Sequence, residues 1–375
     1  MTMTKILLLT LCPIVFSALT LAQPPAPVVS PEVQPDGRVT FRFRAPNALK
    51  VEVELEGQPA PIPMQKDAQG IWSVTSDPMQ PDIYGYSFIV DDVRLLDPSN
   101  QVLKPNLLST GNAVHVPGPS SLPWEVNQVP HGIIHHHFYH SNIANDDRDF
   151  YVYTPPDYRV SEKKDYPVLY LLHGFSDDAS GWTSVGEANV IFDNLIAQGK
   201  MKPMIVVNPL GYGDYEVIRR GWGSWGDKEL AIRNLSKFTD ILLQEVMPQA
   251  EEIYRVRKDR NSRAIAGLSM GGAESLRTGL NHLDQFSWIG AFSSGGIDLQ
   301  DFGSEFPGLD SGTSKNIKLL WIACGTEDHL ITVNRNFKNW LKGKGVPFTD
   351  IETPGMHTWM VWRRNLAAFA PLLFR

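Results

Sequence analysis

The stretch Arg263-Ala264-Ile265-Ala266-Gly267-Leu268-Ser269-Met270-Gly271-Gly272 decides the fold. An apolar run typical of a buried strand leads into a G-x-S-x-G motif, and the residues that follow are typical of a helix. Glycine on each side of the serine permits a sharp turn that a Cβ atom would block. The N-terminus of the following helix favours negative charge beside the hydroxyl. The pattern predicts that Ser269 is a nucleophile in an α/β-hydrolase-type turn; the alternative is a glycine-rich turn with an incidental serine.

A serine hydroxyl needs a base, and in this fold the acid and then the histidine follow the serine along the chain. His357 follows a candidate edge strand at 348–352, and Asp328 follows the apolar strand 319–323. A carboxylate there can orient an imidazole and stabilise its cation. We therefore predict a catalytic triad of Ser269, Asp328 and His357. The competing positions, weaker by their place in the chain, are Glu327, His282, His329, Asp298 and Asp310.

Acyl transfer also needs donors that stabilise an oxyanion. One should be the backbone N–H of Met270, directly after the nucleophile. The other should come from the loop after an early strand, and Tyr170-Leu171-Leu172-His173-Gly174-Phe175 fits this description. We predict that the N–H of Phe175 is the second donor, with Gly174 as the alternative, and that His173 shapes the loop.

Aromatic residues lie close to these motif loops. An exposed aromatic ring could stack on a sugar or on an aromatic acyl group. The alternative for each of them is packing within a loop. The candidates for substrate binding are Trp182, Tyr212, Trp222, Trp225 and Trp359.

A histidine-rich segment raises the question of a metal. His135 and His137 would share one face of an extended strand, and zinc is the ligand to consider. No cysteine or acidic side chain stands at a metal-binding spacing nearby, so we expect no metal and no cofactor. The histidines of this segment are His131, His135, His136, His137 and His140.

The chain changes its pattern along its length. Short runs with period-two alternation, such as 38–44 and 50–55, predict a β-sandwich over residues 23–118. Residues 119–131 are expected to be a linker. Over 132–375 strands alternate with helical stretches, which predicts an α/β domain with a mainly parallel sheet.

The first 22 residues have the features of a secretory signal peptide. Lys5 precedes the apolar run 6–21, and Ala22 offers a small residue at a cleavage site. The alternative is a membrane anchor, which Pro13 disfavours. We expect the protein to be secreted or periplasmic and not membrane-bound after cleavage. Of the two cysteines, Cys12 would leave with the signal, so the mature chain would have no intrachain disulfide.

The charge of the chain limits its partners. With 34 basic and 41 acidic residues, the formal net charge of the 375 residues is −7. No basic patch or run of like charges indicates a nucleic-acid partner.

With these residues in place, residues 132–375 resemble carbohydrate esterase family 1, which includes feruloyl and acetyl xylan esterases and is related to esterase D and enterochelin esterases. The likeness depends on the serine motif together with further segments. These are Val152-Tyr153-Thr154-Pro155-Pro156-Asp157-Tyr158, Tyr170-Leu171-Leu172-His173-Gly174, Asn189-Val190-Ile191-Phe192-Asp193-Asn194-Leu195-Ile196 and Gly355-Met356-His357-Thr358-Trp359. The family pattern implies the same triad.

The N-terminal region is similar to carbohydrate-binding module family 48, also called an early set domain. Arg44-Ala45-Pro46-Asn47-Ala48 and Asp97-Pro98-Ser99-Asn100 carry that likeness. The combination resembles bacterial feruloyl esterases that act on plant cell-wall polysaccharide. It implies an acylated glycan as substrate, and a module that binds glycan or frames the cleft.

The resemblance implies a feruloyl esterase first. Acetyl xylan esterase and siderophore esterase are the alternatives within the class, and acyl transfer to a sugar is a further one. A non-catalytic glycan-binding protein is the alternative from another class, and it predicts a broken triad. Because every triad residue lies beyond Trp124, we expect a fragment starting there to keep some activity on small esters.

Overall fold

Three sheets organise the part of the chain that the computed structural model describes, which is residues 27–159, 161, 164–295 and 301–375. The predicted signal peptide lies outside the described residues, and so does Asp298. Within those described ranges, no helix is both long and apolar enough to cross a bilayer. Cys324, the one cysteine in them, is buried.

The N-terminal region forms two small sheets that face each other. Side chains alternate between the two faces of each strand, so Phe41, Val53 and Phe88 point into a core between the sheets. The rings of Phe41 and Tyr86 lie 4.8 Å apart in this core. One sheet has the order β1-β2-β6-β5, and the other has β4-β3-β7-β10-β9 with β8 beside β7. The strands are β1 Glu32–Val33, β2 Val39–Arg44, β3 Val51–Leu55, β4 Ile62–Pro63, β5 Gln65–Lys66, β6 Ile71–Thr75, β7 Asp82–Val90, β8 Val93–Leu95, β9 Leu103–Lys104 and β10 Gly111–Val116.

The rest of the described chain is built on one eight-stranded sheet. Its strands are β11 Ile133–Ser141, β12 Asp146–Thr154, β13 Val168–Leu172, β14 Ile205–Pro209, β15 Arg263–Leu268, β16 Trp288–Phe292, β17 Leu319–Gly325 and β18 Thr349–Thr353. Their order is β11-β12-β14-β13-β15-β16-β17-β18. The first two pairings are antiparallel and the others are parallel, so β13 and β15–β18 end at one edge.

Helices cover both faces of this sheet. One face packs against α4, α5, α6 and α8, and the other packs against α2 and α9. Their bounds are α1 Gly181–Ser184, α2 Ala188–Ala197, α3 Glu216–Arg219, α4 Lys228–Ile241, α5 Met247–Ile253, α6 Met270–Asn281, α7 Phe302–Glu305, α8 Ile331–Gly343 and α9 Trp359–Phe369. A π-helical segment, Leu242–Val246, joins α4 to α5.

The predicted fold class, an α/β-hydrolase domain with an N-terminal β-sandwich, is confirmed. The strand expected at 319–323 is β17, which continues to Gly325, and the edge strand expected at 348–352 is β18, shifted by one residue. The predicted linker is not loose in this structure: Trp124 is buried against the helical layer, and Asn194 of α2 donates to the carbonyls of Pro123 and Glu125, at 2.8 Å each. The domain boundaries themselves stay a prediction.

A buried ion pair joins the sandwich to the sheet domain. Arg363 of α9 donates from Nε to Asp82 of β7 at 2.9 Å, and neither side chain is exposed. Arg363 also donates to the carbonyl oxygens of Val185 and Ile83. Met360, one turn earlier on α9, is buried in the core of the sandwich. The two regions therefore share α9 as a common structural element.

Replacing Asp82 with alanine would leave the Arg363 guanidinium buried without its carboxylate. We expect the free energy of unfolding to fall by about 3–5 kcal/mol, measured by urea denaturation. The control is Asp36→Ala, which breaks an exposed pair with Arg38 and should shift the midpoint little. Equal effects of the two variants would contradict the structural role of this pair.

Candidate active site

Ser269 lies in the turn between β15 and α6. Its φ of 52° and ψ of −114° are rare for a residue with a side chain. A Cβ on Gly267 would stand 2.4 Å from the Gly271 carbonyl oxygen, and a Cβ on Gly271 would stand 2.4 Å from that of His173. The Ser269 N–H donates to the carbonyl of Phe292 in β16, at 2.9 Å. The neighbouring strand therefore holds a turn that only glycines at these two places allow.

The parallel sheet brings the other two predicted residues to Ser269. Asp328 follows β17 and His357 follows β18, at the same edge as the turn after β15. The Nε2 of His357 lies 3.0 Å from the Ser269 hydroxyl oxygen, and its Nδ1 lies 2.8 Å from a carboxylate oxygen of Asp328. With the proton on Nδ1 donated to Asp328, Nε2 is free to accept the serine proton.

Asp328 is held as a carboxylate. Burial acts to raise the pKa of Asp328, but the hydrogen bond from His357 and its charge hold that pKa below the ordinary value. The backbone N–H of Leu330 donates to the same carboxyl group at 2.8 Å. A buried charged acceptor of this kind fixes the imidazole ring and favours its cation.

The competing positions have other surroundings. Glu327 is exposed and accepts from the N–H of Gly355, which anchors the loop before His357. His329 is an exposed ring whose Nδ1 is 3.6 Å from Asp328. His282 is the C-cap of α6. Asp310 accepts hydrogen bonds from the backbone N–H groups of Gly312 and Thr313 in its own turn.

The two predicted oxyanion donors lie on loops next to the nucleophile. Met270 is the first residue of α6, so its N–H has no carbonyl of a preceding turn to bond. A Cβ on Gly174 would stand 3.4 Å from the Cβ of Ser269, which brings the Phe175 loop beside the turn. His173 is buried, and its ring bonds to Gly174 O and Gly211 N at 2.8 Å each, so it shapes this loop. The donor role of the Met270 and Phe175 N–H groups stays a prediction.

Three of the five aromatic candidates were wrong as substrate-stacking surfaces, because they are enclosed. Trp182 and Tyr212 have no exposed area and Trp359 only 2%. Trp182 donates to the Leu172 carbonyl and packs edge-on against Trp359 at 5.2 Å. The Tyr212 hydroxyl donates to the carbonyl of Asp177 at 2.8 Å. These three rings pack inside the protein and stabilise the loops that surround the candidate active site.

The other two aromatic candidates lie toward the surface. Trp222 is 67% exposed, and its ring lies 4.9 Å from that of Phe175. Trp225 is half-buried behind it, with its ring 5.3 Å from Phe175. Trp222 is therefore the ring best placed to meet a substrate.

A cleft of 680 Å³ opens beside His357, and the β-sandwich forms much of its wall. The resemblance implied a module that binds glycan or frames the cleft, but the sequence pointed to none of the side chains that line this wall. The sandwich side chains with polar groups at the cleft include Glu54, Gln58, Arg94, Lys104, Asn106 and Ser109. Asn106 reaches across to donate to Ser176 at 2.8 Å and to Asp177 at 3.2 Å, so it anchors the Phe175 loop.

Candidate metal ligands within the described ranges meet at one place. One ligand atom each of Asp328, His329 and His357 lies within 4.8 Å of the others, but Asp328 and His357 are already bonded to each other. The histidine-rich segment has separate partners. His131, His136 and His140 pair with Asp193, Asp149 and Asp147 respectively, and His137 bonds to the Tyr254 hydroxyl.

Two buried acids lie behind the site. Burial raises the pKa of Asp177 to about 7, although Lys104 and Asn106 act to lower it. Burial also raises the pKa of Glu274 on α6 well above its ordinary value, and neither of its carboxyl oxygens has a partner among the described residues. Burial without a partner therefore disfavours the charged form of Glu274.

The site combines a serine, an imidazole and a carboxylate at the carboxyl edge of a parallel sheet. These are the groups that acyl transfer through a covalent intermediate requires. The architecture is that of an α/β-hydrolase. The Esterase family model matches residues 141–373, which is more than half of the chain. The chain therefore belongs to the Esterase family.

The relatives give this family membership more detail. The chain is 29% identical over 356 residues to the endo-1,4-beta-xylanase/feruloyl esterase of Xylanibacter ruminicola, covering 92% of this chain and 46% of that protein. The chain thus spans less than half the length of that relative. A solved ferulic acid esterase is 26% identical with a TM-score of 0.55, covering 64% of this chain and 97% of its own.

The enterobactin esterase of Shigella flexneri aligns with both regions. Its TM-score is 0.66 over 89% of this chain and 92% of its own, at 17% identity, which shows a shared fold alone.

The predicted resemblance to feruloyl esterases of carbohydrate esterase family 1 is confirmed. The likeness of the N-terminal region to carbohydrate-binding module family 48 stays a prediction.

Asp328→Asn should lower kcat by about 10⁴-fold, because the imidazole loses its orienting carboxylate. Glu327→Gln should be mild, since an amide oxygen can still accept from Gly355. Steady-state kinetics on p-nitrophenyl acetate compare the two variants. A larger loss in the Glu327 variant would assign the orienting role to Glu327 and contradict the role of Asp328.

The acid behind the Phe175 loop predicts a pH dependence of stability. The pKa of Asp177 is raised from 3.8 to about 7 on folding, so between these pH values the folded state holds a proton that the unfolded state has lost. The contribution of Asp177 to stability must then fall as pH rises across this window.

Asp177→Asn removes this titration. The free energy of unfolding of the variant relative to the wild type should therefore increase from about pH 4 to about pH 7 and then level off. Urea denaturation at a series of pH values measures it. A difference that is constant with pH would contradict a raised pKa at this carboxyl group.

Proposed function

We propose that this protein is a secreted serine esterase that releases ferulate from feruloylated plant cell-wall polysaccharide or its oligosaccharides. The observation that carries the proposal is the similarity to the xylanase/feruloyl esterase, which extends over 92% of the chain and so includes the β-sandwich wall of the cleft. Family and fold support ester hydrolysis, and the polar, open cleft suits a sugar chain.

The reaction would take place in two halves. The Ser269 oxygen attacks the ester carbonyl carbon while its proton passes to Nε2 of His357, and Asp328 stabilises the imidazolium. The N–H groups of Met270 and Phe175 would stabilise the oxyanion. When the carbon–oxygen bond to the sugar breaks, the imidazolium protonates the departing sugar oxygen, which leaves as a hydroxyl group.

Water then completes the cycle. His357 takes a proton from the water, the resulting hydroxide attacks the acyl carbon, and the bond to the Ser269 oxygen breaks as that oxygen regains a proton. Ferulate leaves, and no cofactor takes part in either half. The exposed ring of Trp222 is the surface on which the aromatic acyl group would stack.

A siderophore esterase is the second candidate, because the enterobactin esterase aligns over both regions. A metal-loaded catecholate ligand is anionic and would need unpaired cations at the cleft. The cations there have partners: Arg94 pairs with Glu54, and Lys104 pairs with Glu56 at 3.0 Å. The charges of the cleft therefore favour a neutral glycan ester.

The test is a substrate panel on the purified protein. Methyl ferulate, feruloylated arabinoxylan oligosaccharide, acetylated xylan and a 2,3-dihydroxybenzoyl-serine ester are compared by kcat/KM, with Ser269→Ala as the blank. We expect the feruloyl esters to be the best substrates. Preference for acetylated xylan or for the catechol ester would reassign the substrate, and xylan binding without any hydrolysis would indicate a glycan-binding protein.

The role of Trp222 predicts a difference between acyl groups. Trp222→Ala should raise KM for methyl ferulate by roughly fivefold, equivalent to the ~1 kcal/mol of an aromatic contact. It should leave p-nitrophenyl acetate, which has a small acyl group, almost unchanged. Equal changes on both esters would show that this ring does not select the acyl group.

A further inference from the structure

Helix α9 begins two residues after His357 and lacks a cap of its own. Thr358 stands at the N-cap position, but its side chain caps no backbone N–H. The Thr358 hydroxyl is buried without a partner in the part of the chain that the structure describes. The first N–H groups of a helix need an acceptor and carry partial positive charge. An acceptor from outside the helix is therefore required at this end.

The acceptor comes from the β-sandwich. One carboxylate oxygen of Glu56, which follows β3, accepts from the backbone N–H of Trp359 at 3.0 Å. The other oxygen accepts from the N–H of Gly85 at 2.8 Å and from the ammonium of Lys104 at 3.0 Å. Burial acts to raise the pKa of Glu56, but the Lys104 charge and the Trp359 N–H have the opposite and larger effect. The pKa therefore lies below its ordinary value, and the group stays charged.

The N-terminus of α9 is connected to the His357 imidazole by direct contacts. The ring of Trp362, in the first turn of α9, meets the His357 ring edge to face at 4.8 Å. On the other side, the loop is tied to Glu327 through Gly355. A shift of the α9 N-terminus would therefore move both the chain beside His357 and the ring against which it packs.

We propose that Glu56 is a positioning residue for His357, which caps α9 from the β-sandwich and thereby holds the imidazole between Ser269 and Asp328. The proposal rests on the proposed serine esterase function. It makes the sandwich part of the catalytic apparatus, and not only a module beside it. A fragment starting at Trp124 would lack this cap, so we no longer expect it to keep its activity on small esters.

The test uses the full chain and p-nitrophenyl acetate, whose small acyl group does not depend on the glycan. Glu56→Ala should lower kcat by roughly 10- to 100-fold, the cost of a small displacement of a catalytic group, with KM changed much less. Glu56→Gln keeps an acceptor for the Trp359 N–H and should recover part of the loss. Should the alanine variant fail to fold, the isosteric glutamine variant is compared with wild type by the same measurements.

Glu52→Ala is the matched control. Glu52 is a carboxylate of β3 that pairs with Lys50 at 2.9 Å and lies away from the cleft. It should leave kcat and KM unchanged.

A second readout separates positioning from general stability. The low-field proton NMR signal of the His357–Asp328 hydrogen bond should weaken or shift in the Glu56 variants and remain in Glu52→Ala. Unchanged kcat, or a loss of kcat with this signal intact, would overturn the proposal. A wild-type protein without any esterase activity would instead overturn the proposed function.

Discussion

The turn around Ser269 is the constraint on which the rest of the site depends. The chain must pass from β15 into α6 with the serine in a left-handed conformation, and the close carbonyls of Gly271 and His173 leave no space for a Cβ at Gly267 or Gly271. This turn lifts the hydroxyl out of the backbone at the carboxyl edge of the sheet. Because β17 and β18 run parallel to β15, the residues that follow them reach the same edge. Strained geometry at one residue is thus stabilised by the whole sheet.

Helix α9 gives the molecule a second level of organisation. Its first turn follows His357, its Met360 enters the sandwich core, and its Arg363 forms the buried pair with Asp82. The Phe175 loop is also hydrogen-bonded to the sandwich, through Asn106. The loop that carries His357 and the Phe175 loop are therefore both held by contacts from a region that contains none of the three predicted triad residues. This arrangement makes the sandwich a structural support of the candidate active site.

The sequence was enough for the fold class and for a triad that the structure brings within hydrogen-bond distance, because those inferences depend on local patterns. Ser269, Asp328 and His357 each follow a recognisable strand, and their order is a property of the fold. The aromatic candidates could not be sorted in the same way. Trp182 and Trp222 look alike in sequence, yet one is enclosed and the other exposed, and burial depends on distant residues. No sequence pattern could have indicated Glu56. It is separated from Trp359 by 303 positions, and it bonds to a backbone N–H that almost any residue would supply.

The proposed chemistry requires that an ester is cleaved through an acyl group carried on Ser269. Its most direct test is rapid-quench mixing of the protein with methyl ferulate, followed by digestion and mass spectrometry of the peptides. We expect a transient feruloyl adduct on the peptide that contains Ser269, formed and lost at rates that match turnover. Turnover without any adduct, or an adduct on another residue, would contradict it.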